Sequence, residues 1–327
     1  MRRASVGLRG LPPGGGARRE ASKTFAMAEE TPARLGIDAV VVGVRDEMPH
    51  VLAFAQNGLP RLPSGPFEPA HDRTLELAAR RVLGEQAALR EGYLEQLYTF
   101  GDRHRDAREV SGGPRFVSVG YLALTSMQAD DRGALGVSWR DWYTFFPWED
   151  ARTGRPAILD TEIIPLLRRW TASAPLNGPR AFRARVAFGL DGAPWNNEAV
   201  LERYECLYEL STSGDDAGAI ERLGAPMDLD HRRILATAIG RLRGKIKYRP
   251  VVFELIGPTF TLSELQRTVE ALAGMRVHGP NFRRLVAESG IVEPTGAQRR
   301  TSGRPAETFR FRPDVLAERP DPGIGIR

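Results

Sequence analysis

A single cysteine, Cys206, stands in 327 residues. An internal disulfide is therefore excluded, and nothing argues for an oxidising compartment. Cys206 lies in the apolar-periodic stretch RYECLYEL, where a buried, inert thiol is expected rather than a nucleophile. Histidine is equally sparse. His50, His71, His104, His231 and His278 are scattered, and no His/Cys spacing makes a zinc site, so no metal is expected. No apolar run reaches the ~18 residues of a membrane-spanning helix, and no membrane partner is expected. What is there is ordinary: 42% hydrophobic and 27% charged residues, in a chain long enough for two domains.

The net charge of +5 is unevenly placed. Residues 1–26 hold six Lys/Arg against one Glu, and residues 276–312 hold eight Arg against three Glu. Each block is +5, so the remainder is acidic by the same amount. The first block is rich in Arg, Gly and Pro without hydrophobic period, and residues 1–30 are expected to be a disordered extension. It has no secretory h-region, and its PPGGG run fits a transit peptide poorly, so Met27 is the favoured start of translation. The second block lies in a segment with folded character. A basic patch on a folded domain points to a polyanionic partner, although many such patches are only solvated faces.

From Gly36 onward the pattern is strand-like. IDAVVVGV and HVLAFA flank the polar turn RDEMP as in a hairpin. The Pro/Gly-dense NGLPRLPSGPFEPAHDR reads as a loop. TLELAARRVLGEQAAL then places Leu75, Ala78, Ala79, Val82 and Leu83 on one helical stripe. YLEQLYTF and RFVSVGYLALT return to strand chemistry. DTEIIPLLRRW and AVLERYECLYEL read as helices, and STSGDDAGAIERLGAPM as a surface excursion. LDHRRILATAIGRLRGKIKY is amphipathic, with Leu229, Ile234, Leu235, Ala238 and Leu242 on one face and Arg and Lys on the other. We divide the chain into 1–30 (extension), 31–228, a connector helix 229–250, a compact unit 251–314, and a flexible tail 315–327.

The compact unit has the order of a winged helix-turn-helix. Thr261 or Ser263 can cap a helix that buries Leu262, Leu265, Val269 and Leu272. GMRVHGP breaks it. A short second helix starts at Asn281, turns Phe282, Leu285 and Val286 inward, and stops at Gly290. Arg283 and Arg284 then face solvent where a recognition helix meets the major groove, with His278 and Asn281 as secondary candidates. IVEPTGAQRRTSGRPAETFRFR reads as two strands around a basic loop, whose Arg299, Arg300 and Arg304 would meet phosphates or a narrow minor groove. The plainer alternative is a helical docking domain with a solvated basic hairpin.

The helix 75–89 resembles a Nudix box, Gly-x5-Glu-x7-Arg-Glu-φ-x-Glu-Glu-x-Gly-φ with φ apolar. LPSG (62–65) resembles the family's Leu-Pro-Gly-Gly entry, and Arg81, Leu83, Glu85 and Leu89 fall on motif positions. The acids do not follow. Val82 and Gln86 replace two helix glutamates, Ala88 replaces the glycine, and Arg73 takes the upstream glutamate position. The Gly65-to-Arg81 spacing is also two residues too long. A single carboxylate is a poor substitute for the oxygen cluster that holds Mg²⁺. Taken alone, the stretch could equally be a plain amphipathic helix.

Together with the connector, FELIGPTFTLSELQ and GRPAETFRF, this degenerate box resembles the Nudix-related transcriptional regulators of NAD metabolism, over roughly residues 36–312. The resemblance implies an α+β fold: a Nudix-like mixed sheet with packed helices, followed by a winged helix-turn-helix domain. It implies a cytoplasmic, nucleoid-associated, homodimeric repressor of NAD biosynthesis genes that binds a palindromic operator on double-stranded DNA. Its Nudix domain would have no catalytic residues and need no cofactor, sensing an effector nucleotide (ADP-ribose, NAD or ATP) without consuming it. Arg81 and Glu85 would remain as architecture or as ligand contacts, and Tyr98 or Phe100 would stack on a base. The connector would join sensor to reader, with phosphate contacts at Lys245 and Lys247 set against a plain solvated face. Two rivals stay open. One is an active Nudix pyrophosphohydrolase acting on ADP-ribose or a related nucleoside diphosphate, with acids recruited from Glu91 or Glu95. The other is a module without DNA activity whose basic wing docks an acidic protein.

Overall fold

A computed structural model of the chain describes residues 33–89, 91–103, 109, 111–127, 136–172, 178–213, 216–300, 304–318 and 323–324. The expected N-terminal extension lies outside the described residues. The hairpin forms as read: β1 (Ala33–Arg45) pairs antiparallel with β2 (Met48–Gln56), Val42 opposite Val51. Its turn is made by Asp46 and Glu47, both in the left-handed region that a two-residue hairpin turn demands. The loop expected at 57–73 is partly strand. β3 (Leu59–Arg61) pairs with β2, and β4 (Ser64–Pro66) pairs with β1. Three-residue strands are too short to carry a period, and Pro60 is tolerated because β3 lies at the sheet edge. Helix α1 (Leu75–Ala87) is capped by the Thr74 hydroxyl and ends at Ala88 in the left-handed conformation that the motif's glycine would favour.

β5 (Tyr93–Phe100) and β6 (Arg115–Leu124) complete the main sheet, in the order β3-β2-β1-β6-β5, with β6 parallel to β1. β7 (Val137–Asp141), which follows residues outside the description, adds to β2. Strand β1 is covered on both sides, as its nearly unbroken apolar run requires. Ile37, Ala39 and Val41 meet Ala78, Ala79, Val82 and Leu83 of α1, while Val40 and Val42 belong to the larger core on the opposite face.

The second layer is helical. α2 (Ile164–Ala172), α3 (Pro179–Phe188), α4 (Val200–Thr212) and the single turn α5 (Ala219–Arg222) precede the connector α6 (His231–Ile246). The segment read as a surface excursion is tucked in: Ala219, Ile220, Leu223 and Met227 are buried. The connector also departs from its two-faced reading. Ile234, Leu235, Ala238 and Leu242 are buried as expected, but so are His231, Arg232 and Arg243, and Leu229 lies outside the helix and is partly exposed. A helix enclosed by sheet, α4 and the following domain has little solvated face, so its buried cations are held by carbonyls and one carboxylate. The Arg232 guanidinium, for example, donates to the Phe145 and Ile220 carbonyls. Lys245 and Lys247 are ion-paired with Glu95 and Glu198, the second pair at the surface.

After a 3-10 turn at Val251–Glu254 come α7 (Leu262–Ala273), α8 (Gly279–Ser289), β8 (Val292–Arg299) and β9 (Ala306–Phe311), a helix-turn-helix with its wing. Thr261 and Glu264 form a reciprocal capping box on α7. α8 begins two residues before Asn281, with His278 at its N-cap. The tail expected to be flexible docks at two points. Val315, in α9 (Val315–Glu318), is buried, and so is Ile324, whose N–H donates to the Ile246 carbonyl.

The last carbonyls of α7, which a helix end leaves without intrahelical partners, are satisfied from the preceding domain. Tyr143 Oη donates to Ala271 O (2.7 Å), Arg243 Nε to Leu272 O (3.1 Å), Asn197 Nδ2 to Ala273 O (2.7 Å), and the Ala151 N–H to Gly274 O (2.7 Å).

Candidate functional site

The helix-turn-helix presents most of its candidate residues outward. Phe282 and Val286 anchor α8 in the core, leaving His278, Asn281, Arg283 and Arg284 exposed. Arg284 is held by Glu288 and by Asn281 Oδ1, each at 2.8 Å, which orients it along the helix. The turn before α8 is fixed by buried Glu270, whose carboxylate accepts from Gln266, Arg276 and the Val277 N–H. Burial alone would raise its pKa, but these donors outweigh it and the net shift is downward. In the wing, Arg300 and Arg304 are exposed on either side of 301–303, which lie outside the description. Arg299 is half-exposed, with its guanidinium on Glu264 (2.8 Å) and Thr259 O (2.8 Å), tying the wing to α7.

On the sheet side, Arg81 is engaged within the fold. Its guanidinium grips Asp72 (3.0 and 2.8 Å) and the Pro66 carbonyl (2.9 Å), binding α1 to the preceding loop, with Glu85 exposed 3.5 Å away. The Arg81 hydrogen bond holds the Asp72 carboxyl at about 2, against burial and with help from the Glu68 N–H. A depressed folded value means this contribution is present above the ordinary aspartate pKa and is lost as pH falls from there toward 2. Asp72→Asn is expected to lose about 1 kcal/mol at neutral pH, after allowing for solvent screening at the rim, and to flatten the acid limb between pH 3.8 and 2. An unchanged acid limb in urea titrations would remove Asp72 from that account.

The positions of the missing glutamates have other uses. Val82 is buried beneath Gly65, where a Cβ would lie 2.9 Å from its methyl. Gln86 brackets Ser64, accepting from its N–H (3.1 Å) and donating to its carbonyl (2.7 Å). The residues therefore do not fit the Mg²⁺ that a Nudix box holds. Among the described residues no group of three or more His, Cys, Asp or Glu could hold a metal ion.

Phe100 is in the core against Gly120, which corrects its assignment, while Tyr98 is 63% exposed on β5 and meets Phe100 edge-on. A cavity of about 320 Å³ lies between β1, β4, β6 and the residues entering α6. Arg34 and Arg61 supply cations, Asp38, Ser64, Ser118 and Asp230 polar groups, and Phe116 and Leu229 apolar surface. Sequence reading missed it, although Asp38 was a signal: it is the one acid inside the apolar run IDAVVVGV, and a buried carboxylate needs partners. Ser118 Oγ donates to it, and Arg61 Nε donates to Ser64 Oγ (3.0 Å).

A family model described as the NrtR DNA-binding winged helix domain matches residues 252–311. The chain is similar to the curated ADPR responsive transcriptional repressor NtrR of Acinetobacter baylyi, with 23% identity over 280 residues, covering 84% of this chain and 80% of that protein. Among solved structures it is similar to Shewanella oneidensis NrtR complexed with a 27mer DNA (24% identity, TM-score 0.55, covering 86% of this chain and 95% of that one). It is also similar to a MutT/nudix family protein from Enterococcus faecalis (17% identity, TM-score 0.50, covering 88% and 91%). Residues 252–311 thus match the NrtR-type winged helix domain, and the chain as a whole shares the fold of those two solved structures, a sheet domain followed by a winged helix.

Proposed function

We propose that this chain is a DNA-binding transcriptional repressor of NAD biosynthesis genes whose Nudix-like domain senses an NAD-related nucleotide without hydrolysing it. ADP-ribose is the favoured effector ahead of NAD and ATP, in keeping with the ADPR-responsive repressor to which the chain is similar. The observation that carries the reading is α8, anchored by Phe282 and Val286 and offering Arg283 to solvent beside a basic wing. Arg283, with Asn281, Arg284 and His278, reads base edges in the major groove, while Arg300 and Arg304 engage phosphates or the minor groove. A homodimer places two such helices ~34 Å apart on a palindromic operator. The protein works in the cytoplasm, at the nucleoid.

The nucleotide occupies the cavity over the LPSG loop. Arg34 and Arg61 face its phosphates and Phe116 its base or ribose. Loss of hydrolysis follows from Val82 and Gln86 standing where metal-binding glutamates would be. Arg283→Ala tests the reader: it should cost ~1–3 kcal/mol at a specific site, about 5- to 150-fold in affinity, with little change on unrelated DNA. Undiminished specific binding in a mobility shift would take Arg283 off the interface.

A further inference from the structure

His231 opens α6 and is fully buried. Its Nδ1 accepts from the N–H of Leu62, the first residue of the LPSG loop (2.9 Å). The ring proton therefore sits on Nε2. That N–H makes no hydrogen bond among the described residues, yet Asp38 Oδ1 is 3.4 Å away. Asp38 in turn lines the cavity and accepts from Ser118. Buried donors are nearly always satisfied, and a small movement of the ring or of Asp38 would bring this one into hydrogen-bond geometry with the carboxylate.

A second feature lies beside it. Leu229, also on the cavity wall, has φ +53, which a branched side chain rarely adopts. Strain of this kind collects at switch elements. Strand β3, just before the LPSG loop, is tied to the helix entry by the Asp228 N–H on the Pro60 carbonyl (2.9 Å). At the far end of the same helix, Arg243 caps α7 through Leu272 O. One rigid element thus begins at the cavity and ends on the reader.

We propose that His231 is the positioning residue through which an anionic nucleotide in this cavity sets α6, and through α6 the helix-turn-helix. The proposal rests on the reading that the cavity holds the nucleotide. Ligand contact draws Asp38 and residues 62–65 together, closes the Nε2–H on Asp38 Oδ1, and shifts the first turn of α6. A ligand that favours one arrangement over the other necessarily changes DNA affinity by the same factor that DNA changes its own.

The test uses the full chain, ADP-ribose, and a duplex that the wild type binds. The readout is the ratio of DNA affinities with and without ADP-ribose, expected at about 5–150-fold in the wild type. His231→Asn keeps an acceptor for the Leu62 N–H but deletes the donor to Asp38. It should bind each ligand nearly as wild type does while the ratio falls below about 2-fold. His231→Gln, whose amide reaches the Nε2 position, should restore part of the ratio. A full wild-type ratio in a folded His231→Asn protein overturns the proposal.

A measurement on ¹⁵N-histidine-labelled wild type covers the case in which that variant does not fold. Saturating ADP-ribose should move the His231 Nε2 proton downfield as the bond to Asp38 forms, and an unmoved resonance overturns the proposal alone. ADP-ribose binding that is absent from the wild type, or indifferent to Arg61→Ala, overturns the cavity reading and the proposal with it.

Discussion

Glu149→Gln is expected to remove about 3–5 kcal/mol of folding stability, because it leaves two fully buried guanidiniums without their counter-charge. Glu149 Oε1 accepts from Arg203 Nε at 2.5 Å, and Oε2 from Arg243 Nη1 at 2.6 Å, with all three side chains at most 1% exposed. Each arginine has further partners. Arg203 donates to the Ala187 and Asn196 carbonyls and lies 4.0 Å over the Trp195 ring, and Arg243 donates to the carbonyls of Leu272 and Glu149. Burial would push the Glu149 pKa up, but the two guanidiniums outweigh it and the carboxyl titrates below its ordinary range. Its contribution is therefore present at neutral pH and fades as the solution is acidified through that lowered value. Set against a typical total of about 5–15 kcal/mol, the loss is large enough to see as a clear fall in urea midpoint. High salt should not reproduce it, since a buried pair is poorly screened. By contrast, Glu288→Gln breaks only the exposed Arg284 pair and should cost under about 1 kcal/mol. Equal midpoints for Glu149→Gln and Glu288→Gln would show that the buried cluster carries no such weight.

Gly274→Ala is expected to damage the same joint from the other side. Gly274 ends α7 at φ +68, and a Cβ there would lie 2.2 Å from the Glu149 carbonyl, 2.6 Å from Arg243 and 2.9 Å from the Tyr143 hydroxyl. The left-handed conformation alone costs a non-glycine residue roughly 1–2 kcal/mol. Overpacking against backbone that cannot yield adds about 1–3 kcal/mol. Gly296→Ala is the matched control, with φ +76 but open space around it, so only the first cost applies. The two variants should differ in thermal midpoint, and Gly274→Ala should also weaken DNA binding, because α7 positions α8. If both glycines tolerate alanine alike, the close approach at 274 is not a constraint.

The parts of this fold legible in the sequence are those with a period. The hairpin β1–β2, helix α1 and the order of the winged helix all follow from alternating or 3.6-residue apolar patterns. β3 and β4, of three residues each, had too few to show one. Phe100 was misjudged for a different reason. A register shift between Gln96 and Thr99 turns both Leu97 and Phe100 inward, three residues apart, where strict alternation would have put them on opposite faces. The buried arginines of α4 and α6 were invisible because their shared partner, Glu149, is 54 and 94 residues away in sequence. Arginine without a visible partner reads as solvated. The cavity draws on β1, β4, β6 and the entry to α6, so only the tertiary fold brings Arg34, Arg61 and Asp38 together.

The most direct test of the central claim is fluorescence anisotropy with duplex DNA from upstream of NAD biosynthesis genes, adding ADP-ribose, NAD and ATP separately and recovering each nucleotide afterwards. The account predicts salt-dependent binding, a change of about 5–150-fold in DNA affinity with one nucleotide, and that nucleotide recovered intact in the presence of Mg²⁺. No binding at low salt with or without nucleotide, or hydrolysis of the nucleotide, would contradict it.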